Sequence, residues 1–278
     1  MPFFAVDDQT KIYYEETGKD KKETVLIIHG LGSNHFQLKN FINEFKSQYH
    51  VVCYDHRGHG SSDTPKSHIN IQRLAKDLNE LIEYLDLKEI NVIGHSMGAA
   101  TVFNYISQFG TSKLKSLTVA DMSPYLRNDG WKGGIGQGKW TDEDYFKDLD
   151  RIFDDIGMAN WVISKELMNP DLKKIPKDFE NLMIDSIRAG SVDPLIMSGF
   201  WYSLFRTDQR PFMQKINIPF LYLMPEVPLY SMETVNFYKN NVKGKFKLEN
   251  SFPKTTHLIL MEKPKEVAES VKKFIQSK

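Results

Sequence analysis

The stretch Ile90-Asn-Val-Ile-Gly-His-Ser-Met-Gly-Ala-Ala-Thr-Val-Phe103 decides the fold. Its first four residues form an apolar run typical of a strand, and its last five favour a helix. Between them, Gly94-His-Ser-Met-Gly98 matches G-x-S-x-G, a sharp strand-to-helix turn in which residues without a Cβ flank the serine. A bare match also fits an ordinary helix-starting serine, but the strand and helix around it predict that Ser96 is a nucleophile.

Short β-type runs alternate with helical patterns across the first 120 residues. This alternation indicates an α/β protein with a mostly parallel sheet and helices on its faces. Leucine and isoleucine at spacings of three and four predict a helix over residues 74–85. The runs that predict strands are Lys11–Glu16, Thr24–Ile28, His50–Tyr54, Ile90–Ile93, Leu117–Ala120, Ile218–Leu223 and Phe246–Leu248.

The pattern changes between about Pro124 and Arg210, where the chain is aromatic, acidic and helix-like without a clear β run. The β runs return afterwards, and a closing helix is predicted after Pro264. We therefore expect a helical cap over residues 124–211, inserted into an α/β core made of residues 1–123 and 212–278.

The amino-acid composition limits the classes of function that the protein can have. Of 278 residues, 41% are hydrophobic, which is enough for a large core in a soluble globular protein. The 36 basic and 36 acidic side chains cancel, so nucleic acid and membrane surfaces are not expected as partners. The N-terminus shows no signal-peptide pattern and the chain no apolar run near ~18 residues, so we expect a cytoplasmic protein. The oligomeric state stays open, a homo-oligomer included.

Four segments stand in a characteristic order along the chain: His29-Gly-Leu-Gly32, Asp55-His-Arg-Gly-His-Gly-Ser-Ser62, Gly94–Gly98 and His257-Leu-Ile-Leu-Met-Glu-Lys-Pro264. They resemble the successive landmarks of the α/β-hydrolase family. Within that family they are similar to the small serine esterases and the non-haem chloroperoxidase (perhydrolase) group. The resemblance implies an eight-stranded, mostly parallel sheet and a structural role for residues 55–62. It also implies catalysis without an organic cofactor or a metal.

A nucleophilic serine needs a general base, because a free hydroxyl is a weak nucleophile at neutral pH. Seven of the eight histidines lie at or before His95, so His257 is the one histidine that follows Ser96 in the chain. The triad of this fold runs serine, acid, histidine along the sequence. His257 is therefore the predicted base, with a helix-capping histidine as the alternative.

A tetrahedral oxyanion requires backbone N–H donors. Met97 follows the nucleophile and begins a helix whose N-terminal dipole favours negative charge. The second donor is expected in the glycine-rich turn after the strand Thr24–Ile28, through the Leu31 N–H. The alternative is that this turn only reverses the chain.

Two carboxylates compete for the role of triad acid. Most relatives place an Asp in a turn after the seventh core strand, where this chain reads Met224-Pro-Glu-Val-Pro-Leu-Tyr230. A minority of esterases carry the acid one strand earlier, in a pattern similar to Asp121-Met-Ser-Pro124. Asp121 follows a predicted strand, although it could be a turn former instead. We favour Asp121 over Glu226, because the acid only has to orient and charge-balance the imidazole from the right place.

The function expected from these residues is hydrolysis of small carboxylic esters through an acyl-enzyme. Peracid formation with hydrogen peroxide, or hydrolysis of a lactone or thioester, would use the same residues. A receptor that only holds a small molecule is the alternative from another class, and a scaffold with a vestigial site is the third. Four aromatic residues of the predicted cap are expected to line an apolar pocket for small acyl or aryl groups. The alternative is that they only pack the cap helices. These residues are Trp131, Trp140, Trp201 and Phe205.

Overall fold

The computed structural model describes residues 2–163, 165, 176, 177, 180–182, 184, 185 and 192–277. Its strands are β1 (Phe3–Ala5), β2 (Lys11–Thr17), β3 (Thr24–Ile28), β4 (His50–Tyr54), β5 (Ile90–His95), β6 (Leu114–Ala120), β7 (Phe220–Leu223) and β8 (Phe246–Glu249). Its helices are α1 (Lys39–Asn43), α2 (Ile71–Tyr84), α3 (Met97–Phe109), α4 (Asp142–Asp154), α5 (Ile156–Ile163), α6 (Pro194–Arg206), α7 (Met232–Asn241), α8 (Ile259–Glu262) and α9 (Pro264–Gln276), with a 3₁₀ helix at Arg210–Lys215.

The strands form one eight-stranded sheet in the order β1-β2-β4-β3-β5-β6-β7-β8. The pairs β1–β2 and β2–β4 are antiparallel, and every pair from β4 to β8 is parallel. The predicted eight-stranded, mostly parallel sheet is confirmed. Because β3, β5, β6 and β7 run the same way, their carboxyl ends share one edge of the sheet.

The central strands are buried on both faces. In β3, Leu26 and Ile28 belong to the hydrophobic cluster beneath α2 and α3. The alternate residues Val25 and Ile27 belong to a second cluster beneath α1 and α9. This two-residue alternation is typical of a strand covered by helices on both faces. No helix within the described ranges combines the length and apolarity that crossing a membrane would require.

The predicted strands agree with the structure within a few residues, with two differences. Strand β1 was not predicted, because three residues are too short to show an alternating pattern. Strand β6 begins at Leu114 rather than Leu117, since Lys115 and Ser116 interrupt the apolar run on which the prediction depended.

Between β6 and β7 none of the described residues lies in a strand, and the segment includes α4, α5, α6 and the 3₁₀ helix. The two ends of this segment meet where the Gln209 N–H donates to the Pro124 carbonyl at 2.8 Å. From α6, Ile196 and Phe200 join the hydrophobic cluster of the core. Most of residues 164–191 lie outside the described residues, and the cap boundaries at 124 and 211 stay a prediction.

Candidate active site

Ser96 lies at the junction of β5 and α3, on the carboxyl edge of the sheet. Its backbone has φ 50° and ψ −120°, a conformation that residues other than glycine seldom adopt. The flanking glycines are required sterically: a Cβ would lie 2.6 Å from the Ala99 nitrogen at Gly94 and 2.3 Å from the Ile28 carbonyl oxygen at Gly98. The chain thus forms a sharp turn that leaves Ser96 half-buried.

A buried histidine and carboxylate meet beside this turn. The Nδ1 atom of His257 lies 2.8 Å from Oδ2 of Asp121, and both side chains are buried. Nε2–H of His95 donates to the His257 carbonyl at 2.7 Å, which ties the His257 loop to the residue before Ser96. An imidazole that donates from Nδ1 to a carboxylate leaves Nε2 as its basic nitrogen.

In this structure the Ser96 hydroxyl makes no hydrogen bond to His257 among the described residues. Hydrogen bonds between catalytic groups are often long in the free enzyme and shorten when substrate binds.

The Asp121 carboxylate is held from both sides. Its Oδ2 also accepts the Leu229 N–H at 2.9 Å, and Oδ1 accepts the Tyr222 hydroxyl at 3.4 Å. Burial, reinforced by the nearby carboxylate, holds the pKa of Tyr222 well above its usual range, so the hydroxyl remains a donor. Asp121 itself has φ 43°, a left-handed conformation that aspartate tolerates better than most residues. Two donors besides His257 therefore fix the carboxylate.

The turn Gly30–Ser33 lies against Ser96. The Ser33 N–H donates to the Gly30 carbonyl at 3.2 Å, and a Cβ at Gly30 would lie 3.1 Å from the Ser96 Cβ. Leu31 is the second residue of this turn, and Met97 is the first residue of α3. Neither N–H donates to another group in the described part of the chain. Two backbone donors therefore border the serine, as an oxyanion hole requires.

Known proteins match both the sequence and this architecture. A model of the alpha/beta hydrolase fold family matches residues 23–144. The chain has the α/β-hydrolase fold.

Among curated relatives, the chain is 31% identical over 132 residues to a putative non-heme chloroperoxidase of Synechocystis sp., a match that covers 45% of this chain and 47% of the relative. It is 30% identical over 115 residues to 3-oxoadipate enol-lactonase 1 of Acinetobacter baylyi, covering 41% and 42%. These matches span less than half the length of each relative.

Two solved structures match nearly the whole α/β-hydrolase fold. An esterase from Exiguobacterium antarcticum has a TM-score of 0.82 at 20% identity and covers 99% of this chain and 98% of its own. A bromoperoxidase from Bacillus anthracis has a TM-score of 0.79 at 23% identity and covers 96% of each chain. At these identities the likeness concerns the fold alone.

The second candidate acid lies in the turn after β7 of the α/β-hydrolase fold. Glu226 is exposed, and its carboxylate accepts the Lys254 N–H. Its own N–H donates to the Thr255 hydroxyl at 3.2 Å. Glu226 therefore braces the loop before His257, whereas Asp121 contacts the imidazole.

Three of the four predicted pocket aromatics pack against other aromatic rings. Phe205 stacks on Tyr145 with ring centroids 3.7 Å apart, and Trp201 lies 6.3 Å from the same ring. Trp131 packs on Phe237 at 5.2 Å. These contacts account for the rings as packing residues, and their role in a pocket stays a prediction.

The fourth aromatic, Trp140, is half-buried against the core. Its indole nitrogen is buried without a hydrogen-bond partner among the described residues. Its place in a substrate pocket likewise stays a prediction.

Three residues that support the candidate site were missed from the sequence, namely His95, Tyr222 and Leu229. Leu229 acts through its backbone, which carries no residue-type signal. Tyr222 lies in a buried strand, where a tyrosine is expected to be a core packing residue. His95 offered the one usable signal, a polar residue at the end of an apolar run beside the predicted nucleophile.

Proposed function

We propose that this protein is a serine hydrolase that cleaves small carboxylic esters through an acyl-enzyme, with Ser96, His257 and Asp121 as its triad. The observation that carries the proposal is the buried 2.8 Å contact between His257 Nδ1 and Asp121 Oδ2 beside the left-handed turn at Ser96. Nucleophile, acid and base in that chain order on this fold form the arrangement used for acyl transfer.

The reaction begins when His257 Nε2 takes the Ser96 hydroxyl proton as Oγ attacks the ester carbonyl. The carbonyl oxygen becomes an oxyanion that accepts hydrogen bonds from the Leu31 and Met97 N–H groups. Collapse of this intermediate expels the alcohol, which leaves with the proton held by His257. Water then attacks the acyl-enzyme by the same route in reverse and releases the acid.

Asp121 orients the imidazole and offsets the charge of the imidazolium. Its bonds to Leu229 and Tyr222 support that role, because they hold the carboxylate in place beside Nδ1. The N-terminus of α3 supplies a further favourable dipole at the developing negative charge.

The decisive experiment is labelling with a fluorophosphonate, followed by turnover of acetyl and butyryl esters of p-nitrophenol. Ser96→Ala should lose the label and at least about 10³-fold in kcat, because removal of a triad member typically costs orders of magnitude. Its thermal midpoint should change by less than about 2 °C, since a half-exposed hydroxyl leaves no cavity. Ser107→Ala, another half-buried serine farther along α3, is the matched control. A Ser96→Ala protein that keeps a tenth of the turnover would refute the nucleophile.

Cyclic esters belong in the same panel, because two of the curated relatives are named enol-lactonases. Hydrogen peroxide belongs there as the competing deacylating nucleophile, since others are named chloroperoxidases. Sustained turnover of any of these acyl donors supports a hydrolase. A single slow acylation with tight binding of the donor would instead support the receptor alternative.

A further inference from the structure

Three buried histidines that the proposed mechanism does not use lie in the loops after β3 and β4. The His29 and His56 rings are 4.5 Å apart, and those of His29 and His59 are 5.3 Å apart. Each ring hydrogen-bonds to backbone: Nδ1–H of His29 donates to the Gly30 carbonyl at 2.8 Å, and Nε2–H of His56 donates to the His29 carbonyl at 3.2 Å. The cluster therefore braces the chain that leads into the Leu31 turn.

His59 makes the contact that reaches the turn itself. Its Nε2 accepts the Gly32 N–H at 3.2 Å, while its Nδ1–H donates to the Arg57 carbonyl at 3.1 Å. The ring is 1% exposed, so water does not compete for these bonds. A ring that donates at Nδ1 and accepts at Nε2 must be neutral and in a single tautomer. Burial supports this state, because it lowers the pKa of His59 to about 4.

The Gly32 N–H belongs to the central peptide of the turn, which needs a hydrogen-bond partner from outside the turn. In the turn Gly30–Ser33 the hydrogen bond joins the outer residues, so the central Leu31–Gly32 peptide has no partner within the turn. Gly32 has φ 71°, which fits the third position of a type II turn. Rotation of the central peptide would change the conformation at Leu31, and His59 is the side chain that holds it.

The cap helix α6 packs against the same group. The rings of His59 and Phe200 lie 5.7 Å apart. Met197 covers Gly32, since a Cβ built there would lie 3.6 Å from the Met197 Cε. Three segments therefore converge on His59: the Leu31 turn, the loop of residues 55–62, and α6.

We propose that His59 is a positioning residue that fixes the Leu31 N–H for oxyanion binding by accepting the Gly32 N–H, with its ring held in place by α6. The inference rests on the proposed function, because it assigns Leu31 to the oxyanion hole. His59 acts through the turn and not on the reacting atoms.

Two substitutions separate the hydrogen bond from the packing. His59→Phe keeps a ring against Phe200 but removes the acceptor, whereas His59→Gln retains an amide oxygen near the place of Nε2. We expect His59→Phe to lose about ten- to a hundredfold in kcat with KM changed less than about threefold, since loss of one oxyanion donor costs 10²–10³ and this one is only displaced. His59→Gln should stay within about threefold of wild type. His50→Phe, at the amino end of β4, is the control for loss of a hydrogen-bonded histidine elsewhere.

Two readouts show whether the effect passes through the turn. Phenylboronic acid forms a tetrahedral adduct on serine that uses the oxyanion hole, so its inhibition constant should rise in parallel with the fall in kcat/KM for His59→Phe. Hydrogen exchange at the Gly32 amide should be at least about tenfold faster in His59→Phe than in wild type and His59→Gln.

Equal losses for both variants, with matching falls in thermal midpoint, would overturn the proposal in favour of a packing role, and so would an unchanged boronate affinity in His59→Phe. If wild-type Ser96 takes no fluorophosphonate and turns over no ester, the proposed function fails instead. In that case exchange at Gly32 still decides whether His59 holds the turn.

Discussion

Two turns at the same edge of the sheet carry an acidic residue, and the structure uses them differently. After β6, Asp121 is fully buried and contacts His257. After β7, Glu226 is exposed and accepts the Lys254 N–H. Strand β7 and the turn after it still serve the neighbouring carboxylate, because Tyr222 in the strand and Leu229 in the turn both donate to Asp121. An acid can therefore sit one strand earlier while the turn after β7 keeps a supporting role through donors.

The largest effect should come from Asp121→Asn. The amide keeps the shape of the side chain but presents the wrong proton to His257 Nδ1, at a cost of about 10⁴ in kcat in the serine-protease case. We expect a loss of about 10³–10⁴ in kcat near pH 8, measured on a p-nitrophenyl ester. The Ser96→Ala protein sets the background rate. A loss below tenfold would remove Asp121 from the triad.

The contrast between the two turns also shows which parts of the site can be predicted from the sequence. Ser96 and His257 were predicted from a local motif and from chain order, and Asp121 from its place at a strand end. Their catalytic roles remain predictions, although the structure brings His257 and Asp121 together. The supports of Asp121 were not predictable, because the partners lie 101 and 108 residues away and one is a backbone N–H. Local periodicity predicts strands, whereas such pairings depend on the register between them.

A second effect concerns His95, the buried histidine at the end of β5 that donates to the His257 carbonyl. Burial, assisted by His257, lowers the pKa of His95 to about 3, against about 6.5 for an unfolded histidine. Between these values the unfolded chain binds the proton and the folded one does not, so the free energy of unfolding falls as pH falls from about 6.5 towards 3.

His95→Gln retains an N–H donor for the His257 carbonyl but cannot titrate. From pH 6.5 to 4.5, urea unfolding should show that wild type loses roughly 2–3 kcal/mol more than this variant. The other histidines are common to both proteins and cancel in the difference. The exposed His68, changed to Gln, should follow wild type. Parallel losses in wild type and His95→Gln would show that His95 is not held neutral.

A smaller effect tests the help that β7 gives to Asp121. Tyr222→Phe removes a hydroxyl whose contact with Oδ1 is long, 3.4 Å, so we expect kcat to fall by about two- to tenfold with KM unchanged. Tyr230→Phe is the matched control, because that buried hydroxyl contacts the Met122 sulfur instead of the carboxylate. Similar kinetics for both variants would show that Asp121 is held without Tyr222.

The smallest effect, and the one that closes the comparison, is expected from Glu226→Gln. The glutamine amide oxygen can still accept the Lys254 N–H, and an exposed side chain at this position should change the free energy of unfolding by less than about 0.5 kcal/mol. Because Glu226 braces the loop before His257 without touching the imidazole, kcat on a p-nitrophenyl ester near pH 8 should stay well within tenfold of wild type. Losing the charge alone cannot disturb the tautomer of His257 while Asp121 holds Nδ1. If Glu226→Gln lost orders of magnitude while Asp121→Asn stayed active, the acid would belong to the turn after β7, the commoner position, and the buried contact of His257 with Asp121 would be structural.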